Sequence, residues 1–403
     1  MKIVQINAVY GYSSTGRTTK EVHLELMNQG HEAYVFCTNY ENETENVYCM
    51  GTNVSRKIHG LMSRITGLQG YFSFKATKQL LKKLNYIKPD VVCLRNLHGN
   101  YIHVNMLLNY LIKWQISTVI ILHDCWLFTG HCCHFIEYNC YRWQQDCGEC
   151  PAKHKWNNSW FFDRSKKVLC DRRKRFTQLK RLTVIGVSDW VMNECKKSFM
   201  KKNAKFLRIY NWIDLDMFTP TKRTKKQTPR VLSVAHAWSD IKGLSDIIDV
   251  AKENPTYEFI MVGKMPGNIE LPDNINAMGI INDMHELCNQ YQNADILLHL
   301  SYQETFGKVI VEAMACGVPA IVYNVTAMPE LIRKECGRVV EKGDWRSASK
   351  ALQEIFESGV NHNEIRKFVE ENFSKEILIE KTVDAILKTV SDTNGENICS
   401  GIY

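Results

Sequence analysis

Two carboxylates, Glu304 and Glu312, punctuate the stretch S-Y-Q-E-T-F-G-K-V-I-V-E-A-M-A-C-G-V-P-A-I-V-Y-N at residues 301–324. The first stands before a segment of helical apolar spacing, Phe306 to Cys316, and the second lies two turns inside it. Gly317 and Pro319 stop the helix, and Ala320 to Tyr323 reads as a strand. The first turn of such a helix offers free backbone N–H groups and the positive end of a dipole, and Gly307 leaves room for an anion's oxygens. This is a seat for a phosphate, flanked by two acceptors suited to sugar and ribose hydroxyls. The plainer alternative is a Rossmann-type helix whose glutamate only complements the dipole.

Other chemistry-bearing residues recur where strands end. His123-Asp124-Cys125-Trp126 follows the apolar run Ser117 to Leu122, at the carboxyl edge where open α/β sheets bind ligands. A lone histidine there is as readily a structural residue. Near the start, Gly11-Tyr12-Ser13-Ser14-Thr15-Gly16-Arg17 forms a small-residue loop able to cradle phosphate, or a plain turn, without the spacing of a P-loop or of G-x-G-x-x-G. Lys242-Gly243 follows the strand Arg230 to Ala235. A surface lysine is its plain reading.

Cysteines gather in one insertion, 130–155: Cys132, Cys133, Cys140, Cys147 and Cys150, with Trp143 among them. Cys147 and Cys150 form a C-x-x-C knuckle. Cys132, Cys140, Cys147 and Cys150 suit a tetrahedral structural zinc that would order a segment lacking an apolar period of its own. A redox pair, reduced buried thiols and disulfides compete with that reading, and Cys133 competes with Cys132.

The 301–324 stretch resembles the E-x7-E motif of retaining glycosyltransferases of family 4, which place two Rossmann-like domains in the GT-B arrangement. The resemblance implies that Glu304 faces the donor sugar, that Glu312 holds the ribose, and that N–H groups near Phe306 and Gly307 meet the diphosphate. Lys242 matches the lysine that neutralises the leaving diphosphate. His123 takes the place of a residue beside the donor sugar, where its imidazole would bond the sugar or the acceptor hydroxyl with Asp124 orienting it. Gly16 and Arg17 match the S-T-G-R loop of a polysaccharide-synthesis branch, Gly16 approaching the donor phosphates and Arg17 helping to neutralise them. The same branch shows a similar G-H-C…C…W…C-x-x-C-P pattern, which marks the insertion without identifying an ion. Two departures stand out. The usual phosphate-clamp arginine is missing, its region reading Ala235-His236-Ala237-Trp238, with His236 or Arg17 as substitutes. Trp212 replaces the glycine of the N-G-x-D linker, so the backbone there must differ from a positive-φ turn.

The elements needed to hold these groups read as two α/β domains of the GT-B type, the last helix crossing back to the first. The chain of 403 residues divides into 1–210, an acceptor domain with the Cys-rich insertion, 211–372, a nucleotide-sugar domain, and 373–403, the returning helix and tail. Within them the reading has a loop at Tyr10 to Thr18 followed by a helix from Thr19, a closing strand at Leu182 to Ser188, and continuous helix from Asn363 to Val390.

Hydrophobic content of 45% is ordinary for a globular chain. No apolar run suits a membrane span or signal peptide, which gives the expectation of a cytoplasmic protein with mostly reduced cysteines. The net charge of +8 concentrates at Arg164 to Arg181, Lys196 to Arg208 and Lys222 to Lys226. A solvated face explains such runs, and anionic lipid headgroups or a lipid-diphosphate acceptor also suit them, so peripheral contact with the membrane's inner face is an expectation. Nucleic acid is not expected, since no DNA- or RNA-binding motif is present.

The resemblance therefore implies a retaining hexosyl-type transferase that needs no catalytic cofactor. It would move sugar from a nucleotide-diphosphate donor to a saccharide or lipid-linked saccharide in bacterial surface polysaccharide assembly, with His123, Lys242 and Glu304 carrying catalysis. A nucleotide-sugar epimerase or phosphorylase of the same fold, or a silent nucleotide-sugar binder, remains as an alternative.

Overall fold

The computed structural model describes residues 1–40, 44–155, 158–221, 228–267 and 269–391. Two expectations, the basic connection at 222–226 and the tail beyond 391, lie outside these residues. The described chain forms two α/β units, one of residues 1–187, 191–209 and 379 onward, the other of 188–190 and 210–378.

The first unit carries β1 (Lys2–Ile6), β2 (Val9–Tyr10), β3 (Glu32–Cys37), β4 (Asn39–Tyr40), β5 (Val47–Cys49), β6 (Val91–Leu94), β7 (Ser117–Leu122), β8 (Leu182–Gly186) and β9 (Ala204–Arg208). Its helices are α1 (Ser13–Asn28), α2 (Asn53–Thr66), α3 (Phe74–Ile87), α4 (Val104–Lys113), α5 (Ser165–Phe176) and α6 (Asp189–Lys196). Seven strands form a parallel sheet in the order β5-β3-β1-β6-β7-β8-β9, and β2 pairs with β4. β6, β7 and β8 are buried along their whole length, as near-continuous apolar strands must be when both faces of a parallel sheet are covered. The sheet does not close at β8 as the sequence suggested. β9, A-K-F-L-R, adds an edge strand with Lys205 and Arg208 exposed and no residue buried, which hides it from a search for buried runs.

The second unit carries β10 (Arg230–Ala237), α7 (Leu244–Glu253), β11 (Glu258–Lys264), β12 (Ile275–Gly279), α8 (Met284–Asn293), β13 (Ile296–His299), α9 (Lys308–Ala315), β14 (Ala320–Tyr323), β15 (Gly337–Val340), α10 (Trp345–Ser358), α11 (His362–Phe373) and the start of α12 (Lys375–Ser391). Its six-stranded parallel sheet runs β12-β11-β10-β13-β14-β15. The order reverses between β10 and β13 here, and between β1 and β6 in the first unit. At such switch points consecutive loops diverge and leave a crevice at the carboxyl ends.

The expected continuous helix from 363 to 390 breaks at Ser374, whose ψ of 133° leaves the helical region. There the Ile213 N–H bonds the Phe373 carbonyl at 3.0 Å and Ile213 bridges to Ser374. From Ile379 on, α12 belongs to the first unit, where Thr389 donates to Thr183 at 2.8 Å. Trp212 is buried and has no positive φ, so its replacement of a glycine carries no strain. Among the described residues no helix is long and apolar enough to cross a membrane.

Candidate functional site

The loops after β10 and β13, on either side of the second switch point, bring Lys242 and Glu304 together. Lys242 ends a single helical turn, Asp240–Lys242, and Gly243 follows at φ 74°. A Cβ on Gly243 would stand 2.1 Å from the Leu300 carbonyl oxygen, so both conformation and space demand glycine. The Tyr302 N–H donates to the Ile241 carbonyl at 2.9 Å, which ties the two loops directly. On the far side the Glu304 N–H bonds the Thr326 hydroxyl at 2.9 Å, in the loop after β14. Between these anchors Lys242 Nζ lies 2.5 Å from Glu304 Oε1, and His299 Nε2 lies 3.4 Å from the same oxygen, outside hydrogen-bond geometry. Burial alone would raise the Glu304 carboxyl, but the Lys242 ammonium and the His299 ring outweigh it and hold the group well below the usual carboxylate range.

The helix behind this pair begins later than its apolar spacing suggested. Gly307, at φ 94°, is the N-cap of α9, so Phe306 and Gly307 belong to the loop and Lys308 opens the first turn. A left-handed glycine cannot continue a helix, and a Cβ there would press on Ile310 at 2.8 Å. Glu312 is accordingly just over one turn inside α9 rather than two. It is buried, and its Oε2 accepts from the Tyr291 hydroxyl at 2.9 Å. Phe306 is buried against Tyr210 and Phe373, with centroids 5.9 and 6.0 Å away, a packing role for its side chain. His236 is exposed at the end of β10, whereas Trp238 is buried and donates to the Val262 carbonyl at 3.2 Å.

In the first unit the S-T-G-R stretch is not a loop. α1 begins at Ser13, so Gly16 and Arg17 lie in its opening turns. Gly16 is buried, and a Cβ on it would meet Val9 at 3.2 Å and the Tyr10 nitrogen at 3.3 Å, which gives the glycine a packing reason to be there. Arg17 Nε approaches the Ser13 carbonyl at 3.4 Å.

His123 follows β7 at the carboxyl edge, as expected, and its ring meets an arginine. The buried Arg95, next after β6, reaches Gln5 Oε1 at 3.2 Å, Thr18 Oγ1 at 3.3 Å and His123 Nε2 at 3.3 Å. A guanidinium can only donate, so in this contact His123 Nε2 is the acceptor. Asp124 is engaged elsewhere: its carboxylate takes His98 Nε2 at 2.7 Å and the Trp126 N–H at 2.8 Å. The expectation that Asp124 orients His123 is replaced by an Asp124–His98 pair, because the turn after β7 points the two side chains to different neighbours.

Within the insertion, Cys132, Cys140, Cys147 and Cys150 line one small cavity. Cys133 faces the other way, its thiol and the ligand atoms of His98 and Asp124 all lying within 4.8 Å of one another.

His299, Gln303, Arg95 and His98 escaped the sequence reading. Three of them carried a weak signal, a polar residue inside or beside an apolar strand: I-L-L-H-L-S for His299, H-L-S-Y-Q-E for Gln303, V-V-C-L-R for Arg95. Gln303 is buried with Oε1 unpartnered, directly before Glu304.

Residues 15–217 match the family model described as Glycosyltransferase Family 4, and residues 218–374 match that described as Glycosyl transferases group 1. The chain is similar to N-acetyl-alpha-D-glucosaminyl L-malate synthase of Bacillus anthracis, 26% identical over 220 residues, 49% of this chain and 57% of that one. It is also similar to the capsular polysaccharide biosynthesis glycosyltransferase CapM of Staphylococcus aureus, 32% identical over 117 residues, 28% of this chain and 30% of that one. The chain thus spans about a third to just over half the length of these relatives. Among solved structures, sucrose-phosphate synthase from Thermosynechococcus elongatus matches with a TM-score of 0.70 at 15% identity, over 97% of this chain and 100% of that one. HepE from Anabaena, in complex with UDP and glucose, matches with a TM-score of 0.67 at 13% identity, over 96% of this chain and 100% of that one. Likeness at that identity is one of fold, the two parallel-sheet α/β domains of the GT-B class.

Proposed function

The chain belongs to glycosyltransferase family 4, and from that premise we propose that it transfers a sugar from a nucleoside-diphosphate sugar to a saccharide or lipid-linked saccharide, with retention of anomeric configuration. The observation that carries this reading is the Lys242–Glu304 pair at the second switch point, in front of the α9 N-terminus. A leaving diphosphate needs positive charge, and Lys242 with the first-turn amides of α9 would supply it without a metal. Glu304 is kept ionised by Lys242, so it accepts from sugar hydroxyls and positions the ring. Glu312 would share the ribose hydroxyls with Tyr291. Attack then proceeds on the face the diphosphate leaves, through an oxocarbenium-like centre, the leaving phosphate taking the acceptor's proton. His123 would contact a sugar or acceptor oxygen. HepE's complexes with UDP and UDP-glucose and CapM's part in capsular polysaccharide biosynthesis support a nucleotide donor and a surface polysaccharide product.

Incubation with a panel of UDP-, GDP- and ADP-sugars and saccharide acceptors, read by NMR of the new anomeric centre, tests the proposal. A glycosidic bond of the donor's configuration supports it. Inversion, or only free epimer or sugar phosphate, contradicts it, and binding of a nucleotide sugar without turnover by any acceptor would favour a silent binder.

A lipid-linked acceptor is favoured by the outer face of α2. Val54, Ile58, Leu61 and Met62 follow one another at helical spacing and are 37 to 66% exposed, while His59 and Ser63 are buried beneath. The Trp160 N–H bonds the Arg64 carbonyl at 2.7 Å, which sets exposed Trp160, Phe161 and Phe162 at the end of that helix. Exposed Lys57, Arg64 and Arg164 accompany them. Apolar and aromatic groups with cations beside them fit an anionic bilayer surface. Part of the Arg164 to Arg181 run has other duties: Arg172 is buried, and Arg175 pairs with Asp171 at 3.3 Å. Co-sedimentation with phosphatidylglycerol vesicles should succeed for the wild type and fail for the Ile58→Glu/Phe161→Glu double variant. Equal recovery of both would remove the assignment.

A further inference from the structure

Between Gly130 and Lys155 the chain holds two single helical turns, Ile136–Tyr138 and Arg142–Gln144, yet it encloses Phe135, Trp143 and Ala152. A segment with so little hydrogen-bonded backbone needs another source of order. Its four cavity-lining cysteines are free of disulfides and face one another. The Cys132 and Cys150 thiols are neighbours, with Cys140 and Cys147 close by on the same cavity wall. Gly130 has no room for a side chain, since a Cβ would stand 2.3 Å from the Ser165 carbonyl oxygen and 3.0 Å from Cys147 Sγ.

Two guanidiniums flank the cluster. Arg172 is buried, 3.7 Å from the Trp126 ring centre, and its Nη2 has no partner. Arg142 Nη1 donates to the Gly148 carbonyl at 2.8 Å, inside the C-x-x-C turn. Four thiolates around a divalent cation leave two negative charges; the buried Arg172 would offset part of this, while Arg142 is paired with Glu149 at 2.9 Å.

We propose that Cys132, Cys140, Cys147 and Cys150 bind one structural zinc ion as thiolates, each giving its proton to solvent. The geometry selects Cys132 over Cys133, which is turned toward His98 and Asp124. Zinc–sulfur bonds of about 2.3 Å would draw the four sulfurs inward to about 3.8 Å from one another. The Thr129 hydroxyl donates to the Cys132 carbonyl at 2.7 Å, the Cys125 N–H to the Cys133 carbonyl at 2.9 Å, and Arg172 to the carbonyls of Trp126 and Thr129. The ion therefore braces the segment that continues from His123 and Asp124, without touching substrate.

Metal analysis of chain expressed under reducing conditions and purified without chelator tests this, together with alkylation of the native protein. We expect about one zinc per chain, shielding of the four thiols, full zinc in Cys133→Ser, and loss of zinc in Cys132→Ser and Cys150→Ser. Amide exchange across 124–129 should rise several-fold once a chelator has removed the metal. Less than about 0.2 zinc per chain in the wild type would overturn the proposal, as would a Cys132–Cys150 disulfide in the intact mass or full zinc in Cys150→Ser. Should the Cys132 and Cys150 variants fail to fold, the wild-type zinc content and the Cys133→Ser control still decide.

Discussion

Lys242 and Glu304 meet at 2.5 Å although two helices and two strands separate β10 from β13 along the chain. β10 and β13 are direct neighbours in the sheet, and the Gly243 and Tyr302 backbones lock their loops together. The contact couples two roles. In the absence of donor, Glu304 neutralises the charge that the diphosphate would use.

Removing the glutamate's charge should therefore separate binding from turnover. In Glu304→Gln the freed ammonium is fully available to a nucleoside diphosphate, so its dissociation constant should stay the same or fall, by up to about tenfold. Transfer should drop at least about tenfold, because sugar hydroxyls lose an ionic acceptor. Calorimetric titration beside a turnover assay reads both. A weaker diphosphate with unimpaired transfer would reverse the assignment.

Tyr291 is fully buried and donates to Glu312. Tyr291→Phe leaves that carboxylate oxygen without its partner, which costs about 1–3 kcal/mol of stability. Chemical denaturation measures the loss, and saturating nucleoside diphosphate should restore part of it by giving Glu312 new donors. Stability equal to wild type would show that the hydroxyl is replaceable by water.

The His98–Asp124 pair predicts a pH signature. Burial would lower the His98 pKa, but Asp124 outweighs it and raises the value above normal, while Asp124 is held low against its own burial by His98 and the Trp126 N–H. The histidine's contribution is fully present below its unfolded pKa of about 6.5 and is lost as pH rises through the raised folded value. The aspartate's contribution is present above about pH 3.9 and is lost as pH falls through its folded value. The melting-temperature gap between wild type and His98→Asn should be widest near pH 5 to 6 and narrow toward pH 9. A gap independent of pH would refute the ion pair.

Sequence patterning revealed what depends on local periodicity or on strand ends. β6 and β7 are apolar runs, and Glu304, Lys242 and His123 all follow strands, so their placement at carboxyl edges was legible. Pairings made by tertiary approach were not. Nothing local says that Asp124 turns to His98 or that Arg95 meets His123, since each pair is brought together by the β6–β7 contact. Gly16 and Gly307, which the resemblance places near phosphate, also have a steric or conformational reason of their own to be glycine. The start of α1 was missed because T-G-R-T lacks an apolar period, and the break at Ser374 because F-S-K interrupts no hydrophobic stripe.

The most direct test of the donor site is titration of a nucleoside diphosphate into wild type and Lys242→Ala. A single charge-assisted contact to phosphate is worth about 1.5–3 kcal/mol, so the variant should bind about tenfold or more weakly, with turnover reduced about 10- to 1000-fold. A dissociation constant and a turnover both within twofold of wild type would contradict the assignment of this crevice to the donor.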